Sequence, residues 1–275
     1  MAGRTALVTG ATGGIGLETS RALARRGDLV LVGARDAARG EVVVEELRGA
    51  GGRAELLLID LASFESTRQA ARRALAAHPA LDVLVNNAGG VSRERRVTAD
   101  GHELTWQTNY LGGFLLTRLL LPALCAAQGP RIVNVSSEGH RSGRIDFGNL
   151  ELEHGYRVFR AYANTKLAQV LFTRELARRE PAVAVNALHP GAIATGIWGP
   201  APAWARLLLR IVLPGPATGA RPVVRLAAAP ELAGVTGRYF HRFREATPSV
   251  AARNDADAKR LWEVSEEAVG LRGDG

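Results

Sequence analysis

Of the 35 basic residues in this 275-residue chain, only Lys166 and Lys259 are lysines; the rest are arginines. Lys166 stands four residues after Tyr162 in "AYANTKLAQ". On a helix that spacing places a phenol and an ammonium on one face, within reach of one ligand. A phenol titrates near pH ~10, too high for ready proton exchange at neutral pH, and a nearby cation stabilises the phenolate. The other tyrosines, Tyr110, Tyr156 and Tyr239, are followed at the same spacing by Phe114, Arg160 and Phe243. Two lysines and four tyrosines in 275 positions would give about 0.03 such pairs by chance. A surface pair would accept the arginine this chain otherwise prefers. A compact ammonium that must sit by the phenol and also donate to ligand hydroxyls is harder to replace by a planar guanidinium.

A second constellation lies near the N-terminus. "VTGATGGIG" follows an apolar strand-like run and opens a helical pattern, with Gly10, Gly14 and Gly16 in GxxxGxG spacing and Gly13 added. Glycines there allow a tight turn and let backbone N–H groups approach a pyrophosphate at a positive helix N-terminus. The end of the next strand, "LVGARD", is where a dinucleotide's 2′ position is read. Ala34 occupies the place of the usual ribose-binding acid and Arg35 follows, which favours NADP over NAD. Asp36 would oppose a phosphate if it turned inward; as the N-cap of the following helix it would not.

These residues need elements to position them. Short apolar runs ("TALVTG", "LVLVGAR", "AELLLID", "LDVLVNNAG", "RIVNVSS", "VAVNALHPG") alternate with helical patterns at Gly14–Arg26, Ala37–Gly49, Phe64–Ala77, Gly101–Gln128 and Ala161–Arg179. That alternation predicts an α/β fold: one doubly wound Rossmann domain spanning 1–275, with six or seven parallel strands and helices on both faces. Two stretches break the rhythm, Glu138–Phe159 and Gly191–Gly219, and long loops after strands are expected to wall the site. The net charge of +8 raises a nucleic-acid reading, but the arginines are scattered without a basic run, so a solvated surface is expected and no nucleic acid. The single Cys125 excludes an intrachain disulfide, fits a cytoplasmic setting, and is expected to pack within its helix. Arg118 and Pro122 interrupt the most apolar stretch, so no membrane insertion is expected.

Taken together, "TGATGGIG", "DL" at Asp60-Leu61, "NNAG" at Asn86–Gly89, "QTNYLG" around Asn109, "VNVSS" ending at Ser137, "YANTK" and "HPG" at His189–Gly191 resemble the short-chain dehydrogenase/reductase family in order and spacing. The resemblance covers residues 4 to about 270. It implies that Tyr162 is the acid/base acting on a carbonyl or carbinol oxygen, that Lys166 lowers its pKa and holds the nicotinamide ribose, and that Ser137 hydrogen-bonds the substrate oxygen. Asn109 would sit at a helix irregularity and anchor a water relay to Lys166. The cofactor would touch Gly10, Thr12, Gly13, Gly14, Ile15 and Gly16, then Arg35, Asp60 and Leu61. It would also touch Asn87, Ala88 and Gly89, and Pro190, Ile193 and Thr195. The phrases "TADGHELTWQTNYLGGFLLT" and "RIVNVSSEGHRSGRIDFGNL" are similar to the retinol-dehydrogenase-like and WW-domain-oxidoreductase-like branch, as is the 25-residue step from Ser137 to Tyr162. Nothing in this sequence precedes the first strand, where such relatives carry an anchor or WW modules, so a soluble enzyme is expected.

The expected reaction is reversible hydride transfer between the cofactor and a hydrophobic aldehyde, ketone or alcohol. Its pocket would lie under a lid at 191–219 bearing Ile193, Ile197, Trp198, Trp204, Leu207 and Leu208. "WARLLLRIVLPGP" is preferred as part of that lid over an amphipathic helix on a membrane. The resemblance allows a homodimer or homotetramer paired through the two long helices. His102, His140, His154, His189 and His241 lack metal-ligand spacing, and no metal is expected. The rival reading is a cofactor-binding sensor without turnover, against which the retained Ser, Tyr, Lys and Asn set argues.

Overall fold

The computed structural model describes residues 3–192 and 214–271. Its strands are β1 (Thr5–Thr9), β2 (Leu29–Ala34), β3 (Arg53–Leu58), β4 (Val83–Asn86), β5 (Arg131–Val135), β6 (Ala184–His189), β7 (Tyr239–His241) and β8 (Arg244–Glu245). They form one sheet in the order β3-β2-β1-β4-β5-β6-β7-β8. Neighbours from β3 to β7 pair in parallel, and the two-residue β8 closes the edge antiparallel to β7. Seven parallel strands match the upper end of the expected count; the antiparallel β8 was not foreseen, because two polar residues after a turn carry no periodicity to read.

Each central strand is buried on both faces, which explains its continuous apolar run. Leu7, Leu84 and Ile132 point to one side, and Val8, Val83, Val85 and Val133 to the other. The first side is covered by α3 (Phe64–Ala77), α4 (Leu104–Ala126), α5 (Val158–Arg179) and α7 (Asp255–Ala268). The second is covered by α1 (Gly14–Arg25), α2 (Ala37–Gly49) and α6 (Pro216–Ala228). Side-chain caps mark several helix starts: Asp36 accepts from Arg39 N, Ser63 from Ser66 N, and Asn254 from Ala256 N and Asp257 N. Between β1 and β4 the chain order reverses, and a cleft opens at the carboxyl ends of the strands there.

Two features of α4 differ from expectation. The helix runs through Pro122, and by length and composition it would suit a membrane crossing; yet 61% of its most apolar window is buried within the fold, as in the core helix of a globular protein. Cys125, expected to pack, is exposed, because Ala123 and Leu124 take the inward positions of that turn. The two long helices named as a pairing surface are α4 and α5, and α7 lies against them. Trp262 sits 5.2 Å from the Phe114 ring and 5.8 Å from the Phe172 ring, with the Arg118 and Arg179 guanidiniums over its own ring. Ser265 Oγ bonds the Tyr110 hydroxyl at 2.8 Å, and Arg118 pairs with Glu266. Trp262 therefore ties α7 to both long helices. Trp262→Ala should cost about 3–5 kcal/mol in urea unfolding; a loss below ~1 kcal/mol would show that α7 is not integral to the fold.

Candidate active site

The turn from β1 into α1 is built by three glycines with separate reasons. Gly10 and Gly14 have φ of +65° and +56°, a region costly for other residues. At Gly16 a Cβ would lie 2.3 Å from Gly10 O and 2.5 Å from Asn87 Nδ2, so the helix could not approach the strand. Asn87 ties this turn to the end of β4: its Nδ2 donates to Thr9 O at 2.8 Å, and Thr9 Oγ1 accepts from Asn87 N and Ala88 N at 3.0 Å. Gly13, the N-cap of α1, offers no side-chain cap, and α1 has no acidic residue in its first turn. Its first N–H groups therefore face a cleft with their positive end unneutralised, which is a ready anion site.

That cleft measures about 1190 Å³. One end is lined by Arg35, Asp36, Arg39, Asp60 and Leu61, and its floor by Thr12, Gly13, Gly14, Ile15, Asn87, Ala88 and Gly89. Ser137, Tyr162, Lys166 and Pro190 line the other end. Asp36 spends its carboxylate on the α2 cap, accepting from Arg39 N at 3.0 Å, as its preferred role required. Arg39, which the sequence did not single out, stands in the first turn of α2 beside Thr12, whose carbonyl accepts from its Nη2 at 3.5 Å. Asp60 Oδ1 accepts from Ala62 N and shapes the turn after β3. Among the residues expected to touch a cofactor, Ile193 and Thr195 lie outside the described residues, as do the candidate substrate contacts Ile197, Trp198, Trp204, Leu207 and Leu208.

At the reaction end the paired serines diverge. Ser136 Oγ turns inward and donates to Lys166 O at 2.9 Å. Ser137 lines the cleft, accepts from Gly139 N at 3.1 Å, and shares a hydrogen bond with Tyr162. Gly139 makes room for the phenol ring, since a Cβ there would be 3.2 Å from Tyr162 Cε1. Lys166 Nζ lies 5.5 Å from the centre of that ring and is buried. It donates to Val135 O at 2.9 Å and Gln169 Oε1 at 3.0 Å. Burial pushes its ammonium down to about 7. Burial also raises the Tyr162 phenol, and the bond with Ser137 pulls it back. Spacing brought the ammonium of Lys166 to the phenol; the structure adds the hydroxyl of Ser137 as a second group at the phenol, acting in the lowering direction.

Asn109 falls inside a π-helical turn, Gln107–Leu111, where Gly112 N reaches back to Gln107 O. Its side chain clasps the loop after β4, accepting from Gly90 N at 2.8 Å and donating to Gly90 O at 2.9 Å. The irregularity anticipated at Asn109 is therefore present, but its side chain faces Gly90. Its main-chain carbonyl accepts from Gln169 Nε2 at 2.7 Å. Gln169 was missed by sequence reading, although its i+3 spacing from Lys166 put it on the same helical face. His189, which also lines the cleft, is held down to about 4 by burial and by His241 beside it, and so is neutral. Among the described residues no group of His, Cys, Asp and Glu could hold a metal ion.

The donor set fits a dinucleotide: guanidiniums at one end, an uncapped helix N-terminus in the middle, and a hydroxyl, phenol and ammonium at the other. Gly16→Ala should destabilise the fold by about 1–3 kcal/mol through the clash with Gly10. Gly13→Ser meets nothing within 4 Å and adds a capping hydroxyl. It should leave stability unchanged or raise it by up to ~1 kcal/mol. Thermal unfolding of both variants checks the contrast, and equal losses would refute this account of the turn.

A family model for short chain dehydrogenases matches residues 4–206. Human retinol dehydrogenase 14 is 40% identical, over 98% of this chain and 88% of its own length. Mouse polyprenol dehydrogenase is 43% identical, over 98% and 83%. Among solved structures, an uncharacterized protein of Mycobacterium paratuberculosis superposes with a TM-score of 0.80 at 33% identity, covering 98% of this chain and 94% of that one. The chain belongs to the short-chain dehydrogenase family of oxidoreductases, in its retinol-dehydrogenase-like branch.

Proposed function

We propose that this protein is an NADP-dependent oxidoreductase that interconverts a hydrophobic aldehyde or ketone with its alcohol, working in the cytoplasm. The observation that carries the reading is the convergence of Ser137, Tyr162 and Lys166 at one end of a single cleft whose other end holds Arg35 and Arg39. The cofactor supplies the hydride chemistry when bound. Ser137, whose oxygen already accepts from Gly139 N, has its O–H to offer a substrate oxygen. Tyr162 delivers the proton to that oxygen in reduction and removes it in oxidation. Lys166 uses two N–H donors on protein acceptors and keeps the third for a ribose hydroxyl.

Arg35 and Arg39 form a two-guanidinium frame for a 2′-phosphate, and the capping role of Asp36 removes the acid that would oppose it. An NADP preference is also compatible with a 31%-identical structure from Beutenbergia cavernae, described as an NAD(P)-dependent gluconate 5-dehydrogenase with NADP bound at low occupancy (TM-score 0.72; 88% of this chain, 96% of that one). The apolar substrate class is supported by Val91, Val158 and Phe159 at the cleft wall and by the retinol and polyprenol relatives, named for hydrophobic alcohols.

Tyr162→Phe should lower kcat for carbonyl reduction by about 10²–10⁴-fold and leave NADPH affinity within a few-fold; undiminished turnover would refute the proton-transfer role. Replacing Arg35 and Arg39 together by alanine should weaken NADPH binding by about 10–100-fold, from the loss of charged hydrogen bonds, while NADH binding stays unchanged. Equal losses for both cofactors would remove the basis for the NADP preference.

A further inference from the structure

Among the described residues, Lys166 is a buried cation with no carboxylate against it. Its neighbours are the Val135 carbonyl from β5, Gln169 and Tyr162 from its own helix, and Gly89 from the loop after β4, where a Cβ would come within 3.8 Å of Nζ. Of these only Tyr162 ionises, and burial favours its neutral form. A buried ammonium held by neutral dipoles depends on the number and aim of those dipoles. Gln169 supplies one of the two. It is itself buried, 5% exposed, so its amide must be satisfied within the protein.

The partners of Gln169 fix the orientation of that amide. Asn109 O can only accept and Lys166 Nζ can only donate, so Nε2 must face α4 and Oε1 must face the ammonium. Asn109 O is presented by the π turn, whose wider spacing displaces this part of α4 from regular helix geometry. The family resemblance assigned the connection between Asn109 and Lys166 to a water relay. The side chain of Gln169 also joins the two, at 2.7 Å to the Asn109 carbonyl and 3.0 Å to Nζ.

We propose that Gln169 is a positioning residue for the reaction: its amide, locked by the π turn of α4, holds the Lys166 ammonium in place and in its charged form, with one N–H aimed at the cofactor ribose. An amide in this orientation holds but does not conduct, so its effect appears in the placement and charge of Lys166. The inference rests on the oxidoreductase reading above and adds to it a residue outside the Ser, Tyr, Lys and Asn set.

The test is NADPH affinity as a function of pH, read from cofactor fluorescence, alongside the pH profile of kcat for reduction. Lys166 grips the ribose only when charged, so both readouts fall as pH rises past its titration. In Gln169→Met, which keeps the length and removes both hydrogen bonds, the midpoint of that fall should move down by about one pH unit, leaving affinity about tenfold below wild type at pH above both midpoints. In Gln169→Glu a carboxylate beside the ammonium should move it up. Thr173→Val serves as the structural control: it removes the Thr173 bonds to Gln169 O and Asn134 Nδ2 without touching Lys166, and its midpoint should match wild type. A folded Gln169→Met with the wild-type midpoint overturns the proposal, and so does a Thr173→Val that shifts as far. Wild-type protein that binds no nicotinamide cofactor overturns the oxidoreductase reading as well; wild type that binds and turns over, matched by Gln169→Met, overturns the role of Gln169 alone.

Discussion

An ammonium taken out of water costs several kcal/mol unless its donors are met, and four parts of the fold are arranged around meeting those of Lys166. β5 ends with the Val135 carbonyl pointing at it, and the next residue, Ser136, bonds the lysine's own main chain. The wide turn of α4 offers a carbonyl to Gln169, which passes its acceptor on to Nζ. The loop after β4 comes close only because Gly89 lacks a side chain and because Asn109 clasps Gly90 from the other side. The sheet order that puts β4 between β1 and β5 is what makes these approaches simultaneous. The same order opens the cleft that Lys166 lines.

Much of this was legible in the sequence because it rests on local spacing. The Tyr162/Lys166 pair is an i+4 relation on one helix, and the glycine turn is a strand-to-helix junction with a compositional mark. Asp36 could be read as a cap because its partner, Arg39 N, is three residues away. The division of labour between Ser136 and Ser137 follows from strand alternation once the strand end is known. Even the helix irregularity at Asn109 came with a recognisable phrase, "QTNYLG".

What was not legible depends on contacts between distant segments. Gln169 and Asn109 are 60 residues apart, and a helical glutamine reads as one more packed or surface position until α4 is seen to turn a carbonyl toward it. Arg39 carries no mark in the sequence, because only the packing of α2 against the β1–α1 turn brings its exposed guanidinium beside Thr12. Burial at the reaction end was hidden for a related reason. Spacing showed that phenol and ammonium are near each other, but not that both are buried, and burial opposes charge on each.

The packing of α7 also bears on the order in which the molecule is assembled. Phe114 and Phe172 acquire their third wall only when Trp262 arrives, from a helix that follows α5 after β6, α6 and the β7–β8 edge hairpin. Any partly folded state that lacks α7 therefore presents an open aromatic surface on α4 and α5, the two helices that carry Asn109 and Lys166. Such surface is sticky and must be reached across a long loop of chain. Self-association is thus a hazard of the unfinished molecule, and the docking of α7 is the step that ends it.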